Sequence, residues 1–135
     1  MSDIARILAD SRIIAVVGLS ANPHRPSFEV AAFLQARGYR ILPVNPGSAG
    51  QDILGELCHA TLAEAAAAVA PARIDIVDCF RKAEDIMPIA RQAIAVKAGC
   101  LWMQLGIVNE EAAALARAAG LRVVMNHCPK IELTR

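Results

Sequence analysis

Five short apolar runs, each followed by a polar turn, dictate what this chain can become: Ile13–Val17 (IIAVV), Tyr39–Val44 (YRILPV), Ile74–Cys79 (IDIVDC), Cys100–Gln104 (CLWMQ) and Leu121–Met125 (LRVVM). They are rich in β-branched residues and too short for helices, so they read as strands. Between them, Ser27–Arg37, Thr61–Val69, Ala83–Ala98 and Asn109–Ala119 repeat apolar residues at helical spacing. Strands that are apolar on both sides must be covered on both faces, and strand–helix alternation supplies the cover. The expectation is α/β: a Rossmann-like doubly wound parallel sheet of about five strands with helices on both faces. No linker, repeat or low-complexity tract interrupts the alternation, so residues 1–135 are expected to form one domain.

Local signals support these boundaries. Ser27 is placed to cap the first long helix, and Asn109 precedes Glu110 and Glu111 at the positive end of the last. Gly38, Gly99 and Gly120 sit where helices must stop, in the left-handed position that glycine tolerates. The amino-terminal MSDIARILADS reads as a short amphipathic helix, without the basic start and apolar run of an export signal. No 18-residue apolar stretch exists, so the cytoplasm is the expected compartment and no membrane is expected as partner.

Charge and cysteine usage narrow the function classes. The net charge is +1 with both signs scattered, so no basic stripe points to nucleic acid. Cys58, Cys79, Cys100 and Cys128 form no C-x-x-C pair and are expected to be reduced thiols, with no metal site. A thiol nucleophile at Cys128 beside His127, or a metal ligand at Cys58–His59 or Cys79, would need partners that the sequence does not supply. Asp75 and Asp78 stand three apart, on opposite faces of a strand, and form no acid/base pair. No catalytic constellation emerges.

In an open parallel sheet, ligands bind beyond the carboxyl ends of the strands, where strand order reverses. Those ends carry GLSANPHRPS (Gly18–Ser27), NPGSAG (Asn45–Gly50), FRK (Phe80–Lys82), LGIV (Leu105–Val108) and NHCPK (Asn126–Lys130). The first loop has the parts of an anion site. Gly18 lets backbone approach a ligand, and Ser20 and Ser27 offer hydroxyls. Arg25 offers charge, and a helix begins with unpaired N–H groups. Leu19, Asn22 and Pro26 complete that loop. It lacks the later glycines of the dinucleotide fingerprint G-x-G-x-x-G. The second strand ends Val44-Asn45-Pro46, with no acid before Asp52 to receive the ribose diol of NAD. A neutral Asn45 would not repel a phosphorylated ribose. At the third strand's end, Phe80 and Arg81 are placed to flank an adenine, by packing and by stacking or phosphate pairing. Trp102 reads as core, whereas Gln104, beside Gly106, reaches the crevice.

AVVGLSANPHRPSFEVAAFLQARGYRILPVNPG, then ILGE, DIVDCFRKAEDI, WMQLGI and VVMNHCPKIE, together resemble the small stand-alone CoA-binding proteins. Their domain is similar to the amino-terminal CoA-binding domain of the succinyl-CoA synthetase alpha subunit. The resemblance runs in order from about Ile13 to Glu132. It implies coenzyme A or acyl-CoA as ligand, with the diphosphate near Gly18–Ser27. It also implies an adenosine end passing Val44, Asn45 and Pro46, with Phe80 and Arg81 walling the crevice. The synthetase's catalytic histidine lies in a further domain, so ligase activity is not implied. The expected function is non-catalytic CoA binding by a sensor, carrier or accessory subunit. The alternatives are a small NAD(P)-dependent oxidoreductase, a CoA-dependent transferase, or a regulatory nucleotide-binding subunit of a CoA ligase.

Overall fold

The computed structural model describes Met1–Arg135. Helix α1 (Asp3–Asp10) leads into β1 (Ile13–Val17), α2 (Pro26–Ala36) and β2 (Arg40–Val44). A hairpin of β3 (Asp52–Ile53) and β4 (Glu56–Leu57) follows, then α3 (Leu62–Val69) and β5 (Ile76–Cys79). The chain closes with α4 (Ile86–Ala95), β6 (Cys100–Met103), α5 (Glu110–Ala118), β7 (Arg122–Val124) and α6 (Pro129–Leu133). Strands β2-β1-β5-β6-β7 pair in parallel in that order, which is the five-stranded Rossmann-like sheet that the alternation predicts. From β1 the chain first adds β2 on one side. It then crosses back to place β5 on the other, so the order reverses between β1 and β5.

Each face of the sheet has its own core. One face buries Ala15, Val17, Val77, Cys79, Leu101 and Met103 against α3, α4 and α5. The other buries Ile14, Val16, Ile76, Cys100 and Trp102 against residues of α1 and α2. Alternation along each strand assigns these sets, because successive side chains point to opposite faces. Trp102 is fully buried, as its place in the sequence indicates, and its indole N–H donates to the His127 carbonyl at 2.8 Å. No helix is long and apolar enough to cross a membrane.

Four local features differ from the sequence reading. Ser27 is not the cap of α2. Arg25 holds that position without a side-chain bond, and Pro26 begins the helix. Proline suits the first helical position because the missing N–H would find no partner there anyway. Gly99 is not left-handed; the positive φ of 57° falls on Lys97. Gly99 is constrained instead by space, since a Cβ there would lie 2.8 Å from the Asp75 carbonyl oxygen. The segment 83–98 divides into a short 3-10 turn, Ala83–Asp85, and α4. The fourth feature is the pair of elements that periodicity misses, the β3–β4 hairpin and α6. Asn109 does cap α5, its side chain accepting from the Ala112 N–H at 2.9 Å.

Candidate functional site

The β1–α2 loop is held by its own polar side chains. Ser27 is buried, and its hydroxyl accepts from the Ser20 N–H at 3.0 Å. Ser20 Oγ accepts from the Asn22 N–H at 3.0 Å, and Asn22 Oδ1 accepts from the His24 N–H at 2.9 Å. These bonds fix a tight polar turn ahead of α2. The backbone amides of Leu19, Ala21 and Ser27 donate to no acceptor in the protein. Thus the loop and the first turn of an 11-residue helix keep unspent N–H groups at their positive end. Leu19 itself is a correction: its side chain is fully buried in the core, so only its backbone belongs to the loop.

Asn45 joins three strand ends. Its Nδ2 donates to the Leu19 carbonyl at 3.0 Å, and its Oδ1 accepts from the Gly47 N–H at 3.0 Å. The same oxygen receives Arg81 Nη2 at 3.4 Å. The crevice where strand order reverses is therefore stitched from the ends of β1, β2 and β5. Gly18 makes this closeness possible. Its φ is +90°, and any Cβ there would collide with the Phe80 carbonyl and approach Arg81 Nε to 3.2 Å.

Charge in this crevice is unbalanced. Neither Arg25 nor Arg81 has a carboxylate partner within ion-pair distance, and Lys82 has none either. Of the other lysines and arginines only Arg40, Arg73, Lys130 and Arg135 are paired, Arg40 with Glu56 at 3.1 Å and Lys130 with Glu29 at 2.7 Å. What marks this crevice is therefore the coincidence of unpaired cations with unspent N–H groups. Unspent N–H groups with unpaired guanidiniums beside them favour an anion.

Two hollows flank the crevice. The larger, about 640 Å³, lies among the ends of β5 and β6 and helices α2 and α6. Pro26, Phe80, Arg81 and Gln104 line it. The smaller, about 290 Å³, is bordered by Val44, Pro46 and Arg81. Arg81 and Asp85 border both. Val44 is itself a core residue at 2 % exposure, so it offers an edge rather than a free side chain. Gly106 lines neither hollow. It sits in an exposed turn with φ +85°, its N–H held by Asn126 Oδ1 at 2.7 Å.

Lys82, Ile107 and Cys128, which the sequence places at strand ends without assigning them to the site, line the larger hollow, and so do Val30 and Ile131, which sequence reasoning misses. Cys128 and Ile131 arrive there through α6. The signal was present in Cys128-Pro129, since proline at a first helical position is a helix start. No cluster of His, Cys, Asp and Glu capable of holding a metal ion exists.

The comparisons identify the family and match the fold. Residues 12–134 match the family described as CoA binding domain. The chain is 38 % identical over 130 residues to the uncharacterized protein YneT of Bacillus subtilis (strain 168), covering 96 % of this chain and 91 % of that one. The solved structure of cell-free ID.343 from Thermus thermophilus superposes with a TM-score of 0.90 at 33 % identity, covering 100 % of this chain and 98 % of that one. A hypothetical protein from Pyrococcus horikoshii OT3 gives a TM-score of 0.88 at 35 % identity, covering 98 % and 89 % respectively. With nearly its whole length matched in sequence and in fold, the chain belongs to the CoA binding domain family.

Proposed function

We propose that this protein binds coenzyme A or an acyl-CoA without transforming it, as a sensor, carrier or accessory subunit. The observation that carries the reading is the anion site at the reversal of strand order. Free amides at Leu19, Ala21 and Ser27 stand there with Arg25 and Arg81, which no carboxylate neutralises. A diphosphate satisfies both deficits at once. The adenosine end then follows the smaller hollow along Val44 and Pro46, and the pantetheine arm follows the larger one. Phe80 lines only the larger hollow, so it flanks that arm rather than the adenine expected from the sequence. Family membership supports the ligand class, and the absence of an acid at the end of β2 argues against NAD.

Native mass spectrometry of freshly purified protein tests the ligand class directly. Co-purified CoA or acyl-CoA is the expected result, and NAD or NADP in its place would overturn the reading. Arg81→Ala is expected to weaken CoA by about tenfold, the effect of losing one charge-assisted phosphate contact.

Asn45→Asp separates two roles for that residue. With its side chain already committed to Leu19, Gly47 and Arg81, Asn45 holds the crevice together rather than facing the ribose. The carboxylate would turn an oxygen toward the Leu19 carbonyl where an amide now donates. Calorimetry should then show equal losses for CoA and dephospho-CoA, by about three- to tenfold. A loss confined to CoA would instead place Asn45 against the ribose phosphate.

A further inference from the structure

The larger hollow contains two features that phosphate binding does not use. Gln104 lines the hollow while only 6 % exposed, and its Oε1 is buried with no hydrogen-bond partner. A buried amide oxygen left without a donor is costly, and turning the amide over to meet a ligand N–H would remove that cost. The second feature is Cys128 on the same wall. The chain at 127–128 is drawn over the end of β6 by two bonds. Trp102 Nε1 donates to the His127 carbonyl at 2.8 Å, and the His127 N–H donates to the Met103 carbonyl at 3.4 Å. Cys128 therefore sits beside the strand end from which Gln104 projects.

The four thiols are not equivalent. Cys58, Cys79 and Cys100 are at most 1 % exposed. Burial pushes all three upward, Cys79 well above its ordinary value and Cys100 to about 12. They are packed as small apolar groups and have little thiolate to react with. Cys128 alone is half-buried, and it opens onto the hollow.

We propose that Cys128 forms a mixed disulfide with coenzyme A, with Gln104 Oε1 accepting from an amide N–H of the pantetheine arm. The co-reactant is CoA disulfide. The Cys128 thiolate attacks one sulfur of that disulfide, and a bond forms between Cys128 Sγ and the attacked sulfur. The original S–S bond breaks, and its electron pair leaves on the second CoA as a thiolate, which takes a proton from water. One disulfide is consumed and one is formed, so no further oxidant is needed. Attack by any other thiol on the mixed disulfide restores Cys128. Under this inference, which rests on the CoA reading, the protein holds CoA covalently when the CoA pool is oxidised and reversibly when it is reduced.

The test incubates the full chain with CoA disulfide and, separately, with oxidised glutathione at the same concentration. Intact mass is measured without reductant. The expected product is heavier than the free protein by one CoA less two hydrogens, maps to the Cys128 peptide and disappears on adding dithiothreitol. Binding raises the local concentration of the reacting sulfur, so CoA disulfide should react at least about tenfold faster than oxidised glutathione. Cys128→Ser should abolish the adduct, because no other thiol opens onto the hollow. Gln104→Leu should slow the adduct with CoA disulfide and leave the rate with oxidised glutathione unchanged. Equal rates with the two disulfides, an adduct on another cysteine, or none at all would overturn the inference. If CoA itself fails to bind in calorimetry, the ligand reading has failed. If CoA binds and no adduct forms, the covalent inference alone has failed.

Discussion

Gly18→Ala is expected to lower the unfolding free energy by about 3 kcal/mol, and to weaken the ligand site with it. Two costs coincide at this residue. Its φ of +90° lies in a region that side-chain-bearing residues rarely adopt, and the space a Cβ needs is occupied by the Phe80 carbonyl. Relief would require β1 and β5 to separate at their carboxyl ends, where the Phe80 N–H donates to the Val17 carbonyl at 2.9 Å. It would also displace Arg81, whose Nε lies next in the path of the new methyl. Gly106 provides the control, because it too has positive φ but a Cβ there meets nothing within 4 Å. Gly106→Ala should cost only about 1 kcal/mol, the conformational part alone. Urea denaturation of the two variants checks the difference, and equal losses would show that the close approach at Gly18 is unimportant.

Asp78→Val should act in the opposite direction, stabilising the fold at pH 8 by on the order of 2–4 kcal/mol. Asp78 lies on the central strand β5 with no exposed surface, paired in register with Val16 on one side and Trp102 on the other. Neither carboxyl oxygen has a hydrogen-bond partner. Burial pushes this carboxyl well above its usual 3.8, so the fold keeps the proton that the unfolded chain releases. Stability from this group is therefore fully present below about pH 4 and declines as pH rises toward the raised folded value. The decline is up to about 1.4 kcal/mol per pH unit, because the unfolded state binds fewer protons over that window. Valine, close in size and suited to a strand, removes the dependence. Denaturation midpoints measured from pH 4 to pH 8 should fall for the parent chain and run flatter for the variant. Parallel profiles would show that Asp78 finds a partner when ionised.

Much of this molecule is legible in its sequence because strand alternation is a global constraint. Each of the five runs from Ile13–Val17 to Leu121–Met125 contains one strand of the sheet. What escaped was local. Two-residue strands leave no periodicity, so β3 and β4 had only the Leu54-Gly55 turn to mark them, with φ of 56° and 81°. The five-residue α6 is too short for a 3.6-residue repeat to declare itself. Its omission hid the wall that brings Cys128 and Ile131 to the larger hollow. The candidate site was legible in its position and charge, less so in how its side chains are spent. Ser20, Asn22, Ser27 and Asn45 look in sequence like ligand donors, yet each is bonded within the protein. Ser20, Asn22 and Ser27 accept backbone N–H groups and keep their own donors, so their hydroxyl and amide hydrogens stand with the unspent N–H groups and arginines for an anion. Asn45, by contrast, is bonded through both its nitrogen and its oxygen.

The central claim is that the crevice between β1 and β5 is built for CoA rather than for a dinucleotide with a free ribose diol. Side-by-side calorimetry with CoA, dephospho-CoA, NAD and NADP tests it on one preparation. Binding of CoA with no measurable heat from NAD is the predicted result; tighter binding of NAD than of CoA would contradict it.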